Sequence, residues 1–157
     1  MTIARTLNKT FLLAVVLAAA LMVPALADQI GQGLSSPLSA VVLAGQTSAG
    51  FADGPGPLAQ FASITALDVG PQGWLYVADA GNRRIRVVDE AGVVTTLAGT
   101  GDDTQRDGRA LEAAFHDLRL LSVDGLGNCY VLDGDQLRRV GADGLVTTLE
   151  TIAIPSG

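Results

Sequence analysis

The chain has 157 residues, room for one ordinary domain. Ten Lys and Arg against sixteen Asp and Glu leave a net charge of -6, which argues against a nucleic-acid binder, since that needs a basic patch or stripe. A single Cys excludes an intrachain disulfide framework, a single His excludes a multi-His metal site within one chain, and 19 Gly with 17% charged residues argue against a long-helix protein.

Residues 1–27 read as a secretory signal peptide, expected to be helical. Arg5 and Lys9 form a positive start, residues 11–23 are continuously apolar, and Ala25-Leu26-Ala27 offers a cleavage pattern before Asp28. The apolar run of 13 residues falls short of the roughly 20 that a membrane span requires. Cleavage predicts an exported protein, periplasmic or extracellular, with no stable membrane span; retention as an anchor is the alternative. The remaining chain would keep eight Arg and all sixteen acids, a net charge of -8. Cys129, in an apolar strand pattern, reads as a small buried hydrophobe.

Residues 28–40 are a Gly/Ser/Pro linker without periodicity. Beyond it the chain repeats itself. Leu43-Ala44-Gly45, Asp53-Gly54, Ala59, Phe61, Gly73, Tyr76-Val77 and Asp79 return 54 residues later as Leu97-Ala98-Gly99, Asp107-Gly108, Ala113, Phe115, Gly127, Tyr130-Val131 and Asp133. Two residues are then lost, and Arg86, Val88, Gly92 and Val94 to Leu97 return at a spacing of 52 as Arg138, Val140, Gly144 and Val146 to Leu149. So constant a spacing across dissimilar residue types marks a structural repeat.

Each unit predicts four short antiparallel strands: residues 64–69, 74–78, 84–88 and 93–97 in the first, and 118–123, 129–132, 137–140 and 145–149 in the second. Units of this kind at a period of about 50 residues are blades of a β-propeller. The fold is expected to be all-β, a partial propeller of two four-stranded blades, residues 41–94 and 95–150. An extra N-terminal outer strand at residues 41–43 and a tail at residues 151–157 complete it. Residues 109–116 could add one helical turn before the second blade.

Gly73-Trp74-Leu75-Tyr76-Val77-Ala78-Asp79 followed by Asn82-Arg83-Arg84-Ile85-Arg86 resembles the NHL repeat. Thr96-Leu97-Ala98-Gly99 and Asp107-Gly108 with Ala113-Ala114-Phe115 resemble its bacterial inter-blade signature, and the likeness runs from about Val41 to Glu150. The second unit departs from it: it is two residues shorter after Asp133, lacks the Asn, and has Asn128-Cys129 in place of Trp74-Leu75. The resemblance implies a propeller, commonly six-bladed, whose members are mostly binding platforms and in a few cases lyases or hydrolases. The positions it marks as structural are Asp53, Gly54, Tyr76, Asp79, Asn82, Asp107, Gly108, Tyr130 and Asp133.

Two blades are fewer than the four to eight or so of a closed propeller. The expected partners are therefore further copies of the chain (three making six blades, or two making four) or another propeller fragment, with a protein, peptide or glycan as ligand and no nucleic acid. The expected function is a non-catalytic binding or assembly module without a cofactor. The alternatives are a truncated piece of a longer propeller and a metal-dependent lyase or hydrolase assembled from several chains.

The candidate ligand contacts are Trp74, Arg84, Arg86 and Asp107. Trp74, the one Trp, reads first as blade packing, with stacking on a sugar as its functional alternative. Strand alternation puts Arg84 and Arg86 on one face and Ile85 and Val87 on the other, as an anion contact or as a solvated or inter-blade face with acids as counter-charges. Residues 103–108 resemble a calcium loop, but Ala114 stands where its bidentate Glu belongs, so Asp107-Gly108 reads as a turn with local hydrogen bonds. Asp79 and Asp133 look like an acid/base pair only until the repeat puts them in separate blades; each is expected to bond the backbone of its own turn. His116 has no second His or Cys near it and reads as a loop residue; no catalytic or metal-ligating set is identified.

Overall fold

The computed structural model describes residues 42–152; the signal segment, its expected helix, the linker, Val41 and most of the tail lie outside these. The described chain forms two five-stranded antiparallel sheets. Blade one comprises β1 (Gly54–Pro55), β2 (Ile64–Val69), β3 (Leu75–Asp79), β4 (Arg84–Val88) and β5 (Val93–Ala98), ordered β1-β5-β4-β3-β2. Blade two comprises β6 (Gly108–Arg109), β7 (Leu118–Val123), β8 (Cys129–Asp133), β9 (Gln136–Val140) and β10 (Leu145–Thr151), ordered β6-β10-β9-β8-β7.

The four long strands of each sheet are those the repeat predicts, with ends moved by one or two residues. Asp79 and Asp133 belong to β3 and β8, because each pairs across the following turn with Arg84 or Gln136. The irregularities repeat as well. A bulge interrupts β2 between Ile64 and Ala66 and β7 between Leu118 and Leu120. A second skips Leu97 in β5 and Leu149 in β10. Bulges at repeat-equivalent places increase the local twist of both sheets alike.

The fifth strand differs from expectation. Val42 and Leu43 are not in a strand, and Leu43 packs on the apolar face of blade one. The outer position is filled from the connector before each blade, where Gly54-Pro55 pairs with β5 and Gly108-Arg109 with β10. The two glycines have φ of +125° and +148°, values their lack of a Cβ permits. In place of a helical turn over residues 109–116, Arg109 ends β6, residues 110–112 make a turn in which the N–H groups of Glu112 and Ala113 both donate to the Arg109 carbonyl, and Ala114 bridges to Arg106. The counterpart of this turn in blade one is the 3-10 turn Gly56–Leu58.

Each blade has a front face, toward the preceding position in the array, and a back face. The back of blade one carries Tyr76, Ala78, Ile85 and Val87 into a core with Phe115, Leu118, Cys129, Val131, Val140 and Val146 from the front of blade two. The front of blade one holds a second core of Leu75, Val77, Val88 and Val94, closed over its outer half by Ala59, Leu43 and Phe61. Strand alternation is what divides the apolar residues between two faces, and a blade needs both.

The two turns that differ in length between the units lie at the same end of the blades. In blade one β3 leads through the 3-10 turn Ala80–Asn82 to Arg83, whose φ of +51° is the one left-handed non-glycine conformation among the described residues. In blade two Gly134-Asp135 makes the turn directly. The long connectors before β2 and β7 arrive at this same end, called the connector end below.

Candidate functional site

In each blade one buried arginine on the third long strand gathers the aspartates that the repeat marks. Arg86 has a fully buried side chain that makes five hydrogen bonds. Its Nε and Nη2 donate to Asp53 Oδ1 at 3.1 and 2.6 Å, and Nη2 also reaches the Ala52 carbonyl at 2.8 Å. Its Nη1 donates to Asp79 Oδ2 at 3.0 Å and to the Gln60 carbonyl at 3.1 Å. Phe51 and Phe61 flank the guanidinium, with ring centres 4.9 and 5.0 Å away.

Arg138 repeats the arrangement with Asp133, Asp107 and the carbonyls of Ala114 and Arg106, against the ring of Phe115. One bond is missing: Arg138 Nε is buried without a partner. The Thr148 hydroxyl donates to Asp107 Oδ1 in this blade, whereas the equivalent Thr96 hydroxyl is buried with no hydrogen bond.

These webs correct three expectations. Arg86 is not on a solvated face, because the connector at residues 50–61 folds over the front of the blade and supplies every acceptor but Asp79. Asp79 and Asp133 do not bond the backbone of their own turns. Asp79 Oδ1 accepts the Ala62 N–H at 3.0 Å, and Asp133 Oδ1 accepts those of His116 and Asp117 at 2.9 and 2.7 Å. Each thus tethers the start of its blade's inner strand to the buried arginine. Asp53 and Asp107 do not make local turn bonds either; they accept from the distant Thr96 and Thr148 N–H groups. Burial pushes the Asp107 carboxyl up, but hydrogen bonds from Thr148 and Arg138 outweigh this and hold it below its ordinary value.

Asn82 donates to Asp79 Oδ2 at 2.7 Å and to the Gly50 carbonyl at 2.8 Å, pinning the connector. Blade two lacks this Asn, and Gln105 compensates by donating to the Asp133 carbonyl at 2.7 Å. Tyr76 is buried in the inter-blade core, and its phenol is raised by desolvation and by Cys129. Tyr130 is half-buried and bonds Asp124 Oδ2 at 3.3 Å.

Of the four candidate ligand contacts, Arg86 and Asp107 belong to the webs. A guanidinium with every N–H engaged has none left for a ligand. Trp74 precedes β3 and is exposed, but at the end of the blade away from the connectors. Arg84 lies at the connector end. It donates to the carbonyls of Asn82 and Thr100, and its guanidinium carbon sits 4.0 Å from the ring centre of the exposed Phe51.

The connector end also holds a cluster that sequence reasoning missed. His116 Nδ1 lies 2.6 Å from Asp103 Oδ1, and Arg83 Nη2 donates to Asp103 Oδ2 at 2.9 Å. All three side chains are at least one-third exposed. The His116 hydrogen bond is the main cause holding the Asp103 carboxyl below its ordinary value; desolvation opposes it and Arg83 assists. Nearby, Arg106 pairs with Asp102 at 3.4 Å. Asp103 and His116 are 13 residues apart in a connector without periodicity, so only the fold brings them together. The cluster offers a cation, a carboxylate and an imidazole at an exposed surface, with Phe51 of the blade-one connector and Arg84 at the start of β4 beside it. Among the described residues no three His, Cys, Asp or Glu side chains converge as a metal-ligand set, and no helix is long and apolar enough to cross a membrane.

No family model matches the chain. Among curated proteins it is similar to teneurin-4 of Mus musculus, 35% identical over 92 residues, covering 49% of this chain and 3% of that protein. Among solved structures it is similar to a protein of unknown function from Bacteroides thetaiotaomicron, with TM-score 0.54 and 26% identity, covering 66% of this chain and 25% of that one. It is also similar to an auxiliary nutrient binding protein from the same organism, with TM-score 0.56 and 22% identity, covering 69% and 28%. The structural neighbours are β-propellers, and the two sheets are two successive blades of that fold. The chain spans about a quarter of the length of these neighbours.

Proposed function

We propose that the chain is an exported NHL-type propeller segment acting as a non-catalytic binding module, with the connector end of its blades as the binding surface. One observation carries this reading. The charged residues that recur in both units, Asp53 and Asp107, Asp79 and Asp133, Arg86 and Arg138, hold each connector to its blade. The exposed residues at the connector end differ between the units: Phe51 is matched by Gln105, His116 by Ala62. A repeated frame presenting unrepeated exposed side chains is the arrangement of a recognition surface, because loops carry specificity while a rigid scaffold positions them. The signal-like residues 1–27 supply the export part of the reading.

The cation and imidazole of Arg83 and His116, with the Arg84–Phe51 stack beside them, suit a peptide or glycan bearing hydrogen-bond acceptors. The test is binding of labelled protein to peptide and glycan arrays, repeated with an Arg83→Ala/His116→Ala variant. Loss of specific signal in the variant supports the reading. An equal signal in both, or none from either, overturns it. The quarter-length overlap with the structural neighbours favours a second reading, in which the same surface belongs to a longer propeller. Mass analysis of the native protein from its source would reveal the additional chain.

A further inference from the structure

Among the described residues, the inter-blade core has an uncovered counterpart at each end of the two-blade unit. The back of blade one is buried against blade two: Tyr76 is 6% exposed, Ala78 0%, Ile85 0% and Val87 6%. The matching residues on the back of blade two, Tyr130, Leu132, Leu137 and Arg139, are only half-buried, and Leu120 beside them is 63% exposed. At the other end, Phe115 and Leu118 on the front of blade two are fully buried, while the equivalent Phe61 and Ile64, with Leu67 and Val69, are half-buried. By repeat equivalence the open back of blade two therefore has the shape class of a surface that the open front of blade one is built to meet.

The polar contacts at the existing junction indicate what fits there. Between the blades, the Ser122 hydroxyl bonds Asp68 Oδ2 at 3.2 Å, and the Val123 N–H donates to the same oxygen at 2.8 Å. The Thr65 hydroxyl donates to the Leu118 carbonyl at 2.9 Å. Asp68 and Ser122 are themselves repeat-equivalent, 54 residues apart. If the back of blade two meets the front of blade one in another copy, Ser122 and Asp68 come together again with their positions exchanged, and a hydroxyl still faces a carboxylate. The N–H that would occupy Val123's place is that of Val69, which is already satisfied by its own Asp68 Oδ1 at 2.8 Å. Arg119, in Thr65's place, pairs with Asp117 through Nε and Nη2, and its Nη1 is the donor left to face the Ile64 carbonyl of the next copy. No backbone donor is stranded at such a joint, as burial requires.

We infer that the open back of blade two is a docking surface for the open front of blade one in a second copy of this chain. The contact is head-to-tail, so each copy uses two different faces, and association closes into a ring or continues as an array. The surface is separate from the connector end and its ligand.

The experiment uses the full chain, produced with its own leader and measured in its released form by light scattering on a sizing column. The expected result is a β-rich species at a whole multiple of the protomer mass. Leu120→Glu on the back and Leu67→Glu on the front are each expected to give a monomer. An equimolar mixture of the two is expected to give a one-to-one heterodimer and nothing larger, since one good front and one good back remain. Circular dichroism of each variant separates lost association from lost folding. Should Leu67→Glu fail to fold, Val69→Thr replaces it. A wild-type monomer, variants that assemble like wild type, or two folded variants that ignore each other in the mixture would each overturn the inference.

Discussion

Arg86 and Asp79 meet at 3.0 Å with both side chains wholly removed from solvent. Asp79 ends β3 and Arg86 is the third residue of β4, so the pair crosses the turn that enters the blade's connector end. Through Asp79 the arginine reaches the start of β2, and through Asp53 it reaches the outer strand. One guanidinium therefore ties the innermost and outermost parts of the blade together. An isolated buried charge is costly, and the five hydrogen bonds of Arg86 are what make its burial tolerable.

Removing Arg86 leaves Asp79 charged in the interior without a cation, and removing Asp79 strips Arg86 Nη1 of its carboxylate and leaves Asp53 as the arginine's one counter-charge. Asp79→Ala and Arg86→Ala are each expected to destabilise the protein by about 3–5 kcal/mol. Replacing both residues together should cost less than the sum of the single changes, because neither charge is then stranded. Urea unfolding of the two single variants and the double variant measures this. Additive losses would show that the two side chains do not act as a pair.

The hydroxyls of Thr96 and Thr148 occupy equivalent positions with opposite accounts. Thr148 Oγ1 donates to Asp107 Oδ1 at 3.0 Å, and Thr96 Oγ1 is buried without a partner. Thr148→Val should therefore cost about 1 kcal/mol, the net value of an ordinary hydrogen bond. Thr96→Val should be neutral or stabilising, since it removes an unsatisfied polar atom and keeps the β-branched shape. Chemical denaturation of both variants decides it; equal losses would mean that the two blades treat this position alike.

The blades were readable from spacing because a repeat fixes strand, turn and bulge positions at once, and Gly73, Gly92, Gly127 and Gly144 mark the hairpin turns. The fifth strands were not, since two-residue pieces such as Gly54-Pro55 show no alternation. Alternation correctly put Arg86 opposite Ile85 and Val87, but it cannot say what covers a face. Whether a strand arginine meets water or a folded connector is decided by tertiary structure. The site was less legible still. Of the two candidates that residue chemistry offers outside the webs, Arg84 lies at the connector end and Trp74 at the other. Phe51, Arg83, Asp103 and His116 sit in turns and connectors whose course no periodicity reveals.

Asp103 carries the clearest acid-side signature at the connector end. Its carboxyl is held below the ordinary value of 3.8, chiefly by the His116 hydrogen bond. A lowered folded-state value means that its contribution to stability is present above the unfolded value and lost as pH falls through the folded one. His116→Ala should move the Asp103 titration midpoint upward toward the ordinary value, leaving Arg83 as a weaker support. Carbon-detected NMR titration of the Asp103 carboxyl follows the midpoint directly, and an unmoved midpoint would show that the imidazole does not hold it.

Cys129 tests the integrity of the inter-blade core. Its thiol is fully buried between the sheets and pushed up to about 12, first by desolvation and then by Asp68. Thiolate is the reactive species, so at pH 8 the native protein should resist thiol reagents. Labelling should then report opening of the blades, with a rate that rises in denaturant alongside unfolding. A destabilised variant such as Arg86→Ala should label faster than wild type although Arg86 lies in the web on the opposite face of blade one. Rapid labelling of the native wild type would mean that the two blades part readily and that the junction does not form the continuous core on which head-to-tail docking is patterned.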